Sequence, residues 1–400
     1  MKSIYYLFLP AALLMGGCSN TPMISGTLDL SDGAGWKHKI YLLRPHTWSE
    51  VGQSFMAEVM DSALVDDKGN FHFQELRDAK EPILLELAVQ KKGEKHANRL
   101  ENEDPNTDNY FPIVWNSGQH IKIRADISEF QNSLTMEEPS SANAEILRLR
   151  DLRKRAFDGY KERSLDESGA DEALLEREKN LLDYQAQLMA FANTTSELLP
   201  ALVAIRWISP EGDYERIPEF LHGQGEKWSA LHPDHPWVQE LKAKADKEKL
   251  PILKGDLMPN LEFPMENGET LTLQEVLDGN RLLLLDVWAS WCAPCRVENR
   301  DILVPLWEKH RVNDFQIMAY GLESNERAWK NAIKRDGADR WLHASHLLGD
   351  QNPLMDALRL KTIPANFLIG HEGKVLAKNL HGEDLIRFVE NYMDQTTEIH

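Results

Sequence analysis

Cys292 and Cys295 stand three residues apart in the stretch Leu282-Leu-Leu-Leu-Asp-Val-Trp-Ala-Ser-Trp-Cys-Ala-Pro-Cys-Arg296. On a helical turn that offset brings the second sulfur back beside the first, close enough for a disulfide. The positioning elements can be read from the flanks. Leu282–Leu285 is apolar without alternation and reads as a buried strand in a parallel sheet. After Cys295, the residues Val297, Ile302, Leu303, Leu306 and Trp307 fall mostly on one face of a helix. The pair therefore sits between a strand end and a helix N-terminus. There, unpaired N–H groups and about half a positive charge favour a thiolate, which is the nucleophilic form of cysteine. Pro294 fits the first helical turn, where its missing N–H is no loss. Cys292 is expected to be the exposed attacking thiol and Cys295 the buried resolving thiol. Half a zinc site is the competing reading, but it needs two further ligands, and no second cysteine pair or well-spaced histidine pair supplies them. A structural disulfide usually closes a long loop, and this one would close almost none. Reversible dithiol–disulfide chemistry is the reading that remains.

The third cysteine has a different setting. Lys2 is the only charge in residues 1–17, an apolar run extends from Ile4 to Met15, and Gly16 and Gly17 precede Cys18. The run falls short of the ~20 residues needed to span a bilayer, and its layout is that of a secretory signal. Small residues directly before a cysteine resemble a bacterial lipobox, with Met15 where leucine is commoner. The resemblance implies cleavage before Cys18 and lipidation of that residue. Acyl chains add ~0.8 kcal/mol per buried CH₂, so several chains hold a folded domain at a membrane surface.

At 400 residues, 42% hydrophobic and 27% charged, the chain is too long for one ordinary domain and too apolar for a disordered one. Its 45 Lys and Arg against 64 Asp and Glu give a net charge of −19, which argues against nucleic acid as a partner. Three cysteines exclude a disulfide-stapled scaffold. Four segments are expected: a signal peptide over 1–17, a β-rich domain over 18–135, a helical region over 136–250 and an α/β domain over 251–400. In the second, Ile24-Ser-Gly-Thr-Leu-Asp-Leu alternates, and Lys68-Gly-Asn70 reads as a turn between two short strands. An antiparallel sandwich or small barrel is the expected form. Asp104, Asn106 and Asp108 have the spacing that opens a calcium loop, but Asn109 and Trp115 occupy its sixth and twelfth positions, so a solvated acidic loop is expected. In the third, Ile146–Phe157 and Leu174–Ala192 read as helices with solvated outer faces. His232-Pro-Asp-His-Pro236 reads as the turn that starts another helix, rather than a metal pair.

The stretch Asp286-Val-Trp-Ala-Ser-Trp-Cys-Ala-Pro-Cys-Arg296 resembles the active site of thioredoxin-fold proteins, and most closely the exported TlpA/ResA-like thiol–disulfide oxidoreductases of the AhpC/TSA-Redoxin superfamily. Further matching pieces follow in the family's order. Gly255-Asp256, Pro259, Asn267-Gly268-Glu269 and Leu273 resemble its opening hairpin, Phe315–Tyr320 its next strand, and Thr362–Ile369 with Gly373-Lys374-Val375 its proline loop and closing hairpin. Residues 23–128 resemble the β domain that precedes the thioredoxin domain in exported lipoproteins of Bacteroidetes-type bacteria, a likeness that assigns no chemistry. The resemblance implies a thioredoxin-like C-terminal domain with Cys292 as nucleophile and Cys295 as resolving thiol. It also implies that Pro364 is the cis-proline facing the pair, that Asp286 is a buried proton relay with a raised pKa, and that Glu298 tunes thiol acidity. Trp288 and Trp291 would wall the site, Trp291 as the nearer contact. Val287, Arg300, Pro305 and Ala365 depart from the family's pattern. No cofactor or metal is implied. The implied partners are thiols and disulfides of exported proteins, cytochrome c precursors among them, and a membrane thiol electron donor. The expected location is the bacterial envelope, facing the periplasm on a lipid anchor. Oligomeric state is not legible. Rivals are a surface binding lipoprotein with an accessory redox domain and, ranked well below, a thiol peroxidase.

Overall fold

The computed structural model describes residues 23–53, 55–73, 79–96, 104–165 and 173–395. Cys18 and the signal lie outside the described residues. Among those residues no helix is long and apolar enough to cross a membrane.

The chain begins with strands β1 (Ile24–Asp29), β2 (Trp36–Arg44), β3 (Glu58–Leu64), β4 (Asn70–Phe73), β5 (Ile83–Lys91), β6 (Tyr110–Trp115), β7 (Ile121–Asp126) and β8 (Thr135–Glu137). They form two four-stranded sheets, β4-β1-β7-β8 and β3-β2-β5-β6. All pairings are antiparallel except β1 with β7. The Lys68-Gly-Asn70 turn joins two strands of different sheets. Gly69 there has φ +82°, and a Cβ would lie 2.1 Å from the Leu28 carbonyl oxygen, so only glycine fits.

Helices follow: a single turn α1 (Phe130–Ser133), then α2 (Ser141–Leu165), α3 (Ala173–Thr194), α4 (Leu198–Ile208), α5 (Pro218–Leu231) and α6 (Pro236–Lys244). Helix α4 is buried from Leu199 to Ile208, as a helix apolar on every side must be. Sheets and helices share one core, from Ile24 to Leu253. Cross-bonds seal it: Trp48 Nε1 donates to the Leu202 carbonyl at 2.9 Å, and the Asn143 amide both accepts from and donates to the Val114 backbone at 2.8 Å. Asp108, expected in a solvated loop, is instead buried. It pairs with Arg153 at 2.9 Å with both side chains 2% exposed, and a buried carboxylate needs such a partner. His235 caps α6 by accepting the Trp237 N–H on Nδ1 at 3.2 Å, with Pro236 in the first turn, so the His-Pro segment starts a helix.

The C-terminal part opens with the hairpin β9 (Glu262–Pro264) and β10 (Thr270–Thr272) and the short helix α7 (Leu273–Leu277). Next come β11 (Leu282–Trp288), α8 (Ala293–Glu298), α9 (Val304–His310), β12 (Phe315–Gly321), α10 (Glu326–Arg335), β13 (Leu342–Ala344), α11 (Pro353–Leu358), β14 (Ala365–Gly370), β15 (Val375–Lys378) and α12 (Gly382–Gln395). The sheet order is β13-β12-β11-β14-β15. The central strand β11 is wholly buried. It runs parallel to β12, as its composition suggested, but antiparallel to β14 on its other side. Its alternate side chains divide between two clusters. Leu282, Leu284 and Trp288 pack with residues of α9, α10 and α12, and Leu283, Leu285 and Val287 pack with α7 and α11. Cover on both faces is why the strand reads as a continuous apolar run. It also fixes the direction of Asp286, which shares the α8–α9 face with Leu284 and Trp288.

Candidate active site

Strand β11 ends at Trp288, and the chain turns into α8 with Cys292 as its N-cap. The two cysteines are joined as a disulfide with Cα atoms 5.3 Å apart. The Cys292 sulfur accepts the backbone N–H of Cys295 at 3.3 Å. This is the contact that stabilises a thiolate when the bond opens. Pro294 occupies the first turn, as expected. Between α8 and α9 the helical path widens into a π turn, Asn299–Leu303, just before Pro305. Proline lacks the N–H that a regular turn needs there, which accounts for the irregularity.

Both sulfurs are sheltered. Cys292 is 6% exposed and Cys295 3%, so the anticipated contrast between an open and a covered thiol is small. Cys292 belongs to the same apolar cluster as Trp288 and Cys295, with Ile363 packed against it. Trp288 is also fully buried, in edge contact with His343 at 6.1 Å between ring centres, and so is core and not a wall of the site. Trp291, by contrast, is 67% exposed beside the disulfide. His343 lies among Trp288, Trp329 and Trp341, and burial holds its pKa down at about 4, so it remains neutral packing.

The Ile363–Pro364 peptide bond is cis. Ala365 pairs with Val287, which places Pro364 beside the end of β11, next to the cysteine turn. Asp286 is buried within β11, and burial raises its pKa well above the ordinary carboxylate range, with the negative charge of Glu298 adding to the shift. Glu298 is itself buried one turn beyond Cys295. His381 Nδ1 lies 2.9 Å from its Oε2, and the Gly382 N–H donates to Oε1 at 3.3 Å. Asp286 and Glu298 are thus buried close enough for the charge of one to act on the other, and His381 is the hydrogen-bonding partner of Glu298.

Three side chains that shape this site carry no local signal in the sequence. Glu323, just after β12, accepts both the Ser290 backbone N–H and, at 3.0 Å, the Ser290 hydroxyl, so it ties down the turn before Cys292. Burial raises its pKa, against those two hydrogen bonds. His381 becomes a partner of Glu298 only through the fold. Asp336 takes the Arg296 guanidinium through two bonds, one of them 2.6 Å, and Arg300 at 3.3 Å. This last contact gives the departure at Arg300, in the π turn after α8, a structural role.

A family model described as Redoxin matches residues 253–392. This C-terminal third of the chain is a Redoxin domain. The Redoxin domain is 25% identical over 143 residues to the thiol-disulfide oxidoreductase ResA of Bacillus subtilis, a match covering 36% of this chain and 75% of that protein. Among solved structures, it is similar to a thiol-disulfide oxidoreductase from Bacteroides fragilis (31% identity, TM-score 0.32, covering 34% of this chain and 98% of that one). It is also similar to the thioredoxin domain of a thiol-disulfide oxidoreductase from Bacteroides vulgatus (25% identity, TM-score 0.33, 36% and 99%). With its close cysteine pair, the Redoxin domain is a thiol–disulfide oxidoreductase.

Proposed function

We propose that the protein is a lipid-anchored thiol–disulfide oxidoreductase of the bacterial envelope that reduces disulfides in exported proteins. The observation that carries the reading is the Cys292–Cys295 pair at the start of α8, with a buried acid on the preceding strand β11 and the Ile363–Pro364 loop beside the end of that strand. In the reduced state the Cys292 thiolate attacks one sulfur of a substrate disulfide. A Cys292–substrate bond forms, the substrate S–S bond breaks, and the departing thiolate takes up a proton. The Cys295 thiol then gives its proton to the ionised form of Asp286, which burial makes a stronger base than an ordinary carboxylate. The Cys295 sulfur attacks Cys292, the protein disulfide closes, and the second substrate thiol leaves. Two electrons have passed to the substrate, and a membrane dithiol returns them. Cys18 would carry the lipid that keeps the domain at the membrane.

Two measurements test this reading. In cells, a Cys295→Ser chain has no resolving thiol and is expected to accumulate mixed disulfides with exported proteins in the membrane fraction. These complexes should be released by dithiothreitol, and their absence would overturn the assignment. In vitro, the reduction potential of the pair is expected near thioredoxin's, about −270 mV. A value near about −120 mV would reverse the direction to oxidation or isomerisation.

A further inference from the structure

The segment between α4 and α5 reaches across to the loop beside the cysteines. Glu215, buried, accepts the backbone N–H groups of Lys361 at 2.9 Å and Thr362 at 3.2 Å, and the Thr362 hydroxyl at 3.3 Å, all on Oε1. Arg216 donates from Nη2 to the Pro364 carbonyl at 3.0 Å and is itself held by Glu178 of α3, Nε to Oε1 at 2.9 Å. Just beyond, Glu219 in the first turn of α5 binds Lys378 Nζ at 3.0 Å and the Lys254 N–H at 2.8 Å, which fastens the start of that helix to the Redoxin domain. The peptide groups on both flanks of Ile363 are therefore held by two consecutive side chains, and both lie outside the region that the Redoxin family accounts for. Among the described residues Ile363 makes no backbone hydrogen bond of its own, while it packs on the cluster containing Cys292.

We propose that Glu215 and Arg216 are positioning residues for polypeptide substrates, fixing the Lys361–Pro364 backbone so that the Ile363 edge is preformed for an extended substrate strand beside Cys292. The proposal rests on the disulfide-exchange reading above. An extended chain can add to a backbone edge through main-chain hydrogen bonds, and an edge already held in place loses less entropy on binding. A charged group that bonds two or three backbone donors at once is the means of holding it. This gives the helical region a role in the chemistry of the domain that follows it.

The test uses the full chain and a synthetic disulfide-bridged peptide as substrate. In Glu215→Ala and Arg216→Met, KM for the peptide is expected to rise about tenfold, the size of effect that loss of one charge-assisted hydrogen bond produces. The reduction potential should stay at the wild-type value, because neither residue touches the sulfurs. Glu215→Gln should recover most of the affinity, since the amide oxygen accepts the same N–H groups. Unchanged KM in either substituted chain would overturn the proposal. So would KM and potential shifting together in Glu215→Ala and Glu215→Gln alike, which would mark general loosening. If Glu215→Ala does not fold, Arg216→Met at the half-buried outer position gives the same reading. A wild-type chain that cannot reduce the peptide would refute the exchange reading and the clamp with it. An active wild type with unaltered variants would refute the clamp alone.

Discussion

Replacing Cys292 with serine is expected to reduce disulfide exchange to the uncatalysed background, a loss on the order of 10⁴- to 10⁶-fold, as for other covalent nucleophiles. The two cysteines are not equivalent in this respect. The Cys292 sulfur lies at the N-cap of α8 and accepts the Cys295 N–H, so negative charge is stabilised there. Cys295 lies inside the first turn and supplies that N–H to the Cys292 sulfur. The Cys295→Ser chain should therefore still perform one attack and stall as a mixed disulfide, while Cys292→Ser should form none. Stopped-flow measurement with a peptide disulfide, followed by mass determination of the trapped species, separates the two. A Cys292→Ser chain that forms a stable adduct through Cys295 would reverse the assigned roles.

Asp286→Asn is expected to have opposite effects on activity and stability. The side chain is buried on the α8 face of β11, and both burial and the charge of Glu298 raise its pKa. Below about pH 4, the acid is protonated whether the chain is folded or unfolded, and it contributes no pH dependence. As pH rises past that point, the unfolded chain ionises while the folded chain keeps the proton until its own raised pKa. The unfolded state then binds fewer protons, so stability falls with increasing pH across this window and levels off above it. The neutral amide removes that slope. The oxidised variant is expected to melt a few degrees higher than wild type at pH 8, with the difference vanishing near pH 4. Activity moves the other way. Without a group to take the Cys295 proton, resolution of the mixed disulfide should slow by about 10²-fold, and the limb of the pH–rate profile that belongs to the acid should disappear. Thermal melts and single-turnover rates over pH 4–9 check both. A variant with wild-type resolution rates would reduce Asp286 to a packing residue.

Much of this site was legible in the chain because its parts are close together in sequence. A strand, a turn, two thiols and a helix start lie within Leu282–Leu306, and each leaves a local mark: an unbroken apolar run, a Cys-x-x-Cys spacing, a proline in the first turn, and helical periodicity. The His232–Pro236 segment was legible for the same reason, since helix starts are set by local residues. Asp108 was misread because its burial depends on Arg153, which arrives from α2. Trp288 was misread because its neighbours His343, Trp329 and Trp341 come from later elements. The mixed character of the central sheet was hidden too. An apolar run records cover on both faces, but not the direction of the neighbouring strands.

The chemistry is therefore written in the order of the residues: a dithiol pair on a strand–helix junction, an acid six residues upstream and a proline loop farther along. The surroundings of that chemistry are set by packing between distant segments. That packing sets Glu323 on the Ser290 turn, His381 on Glu298, and Glu215 and Arg216 on the loop next to the disulfide. The physical reason is that a helix or strand is selected by residues a few positions apart, whereas a buried carboxylate or guanidinium finds its partner wherever packing brings a complementary group. For Glu215 and Lys361 that separation is 146 residues.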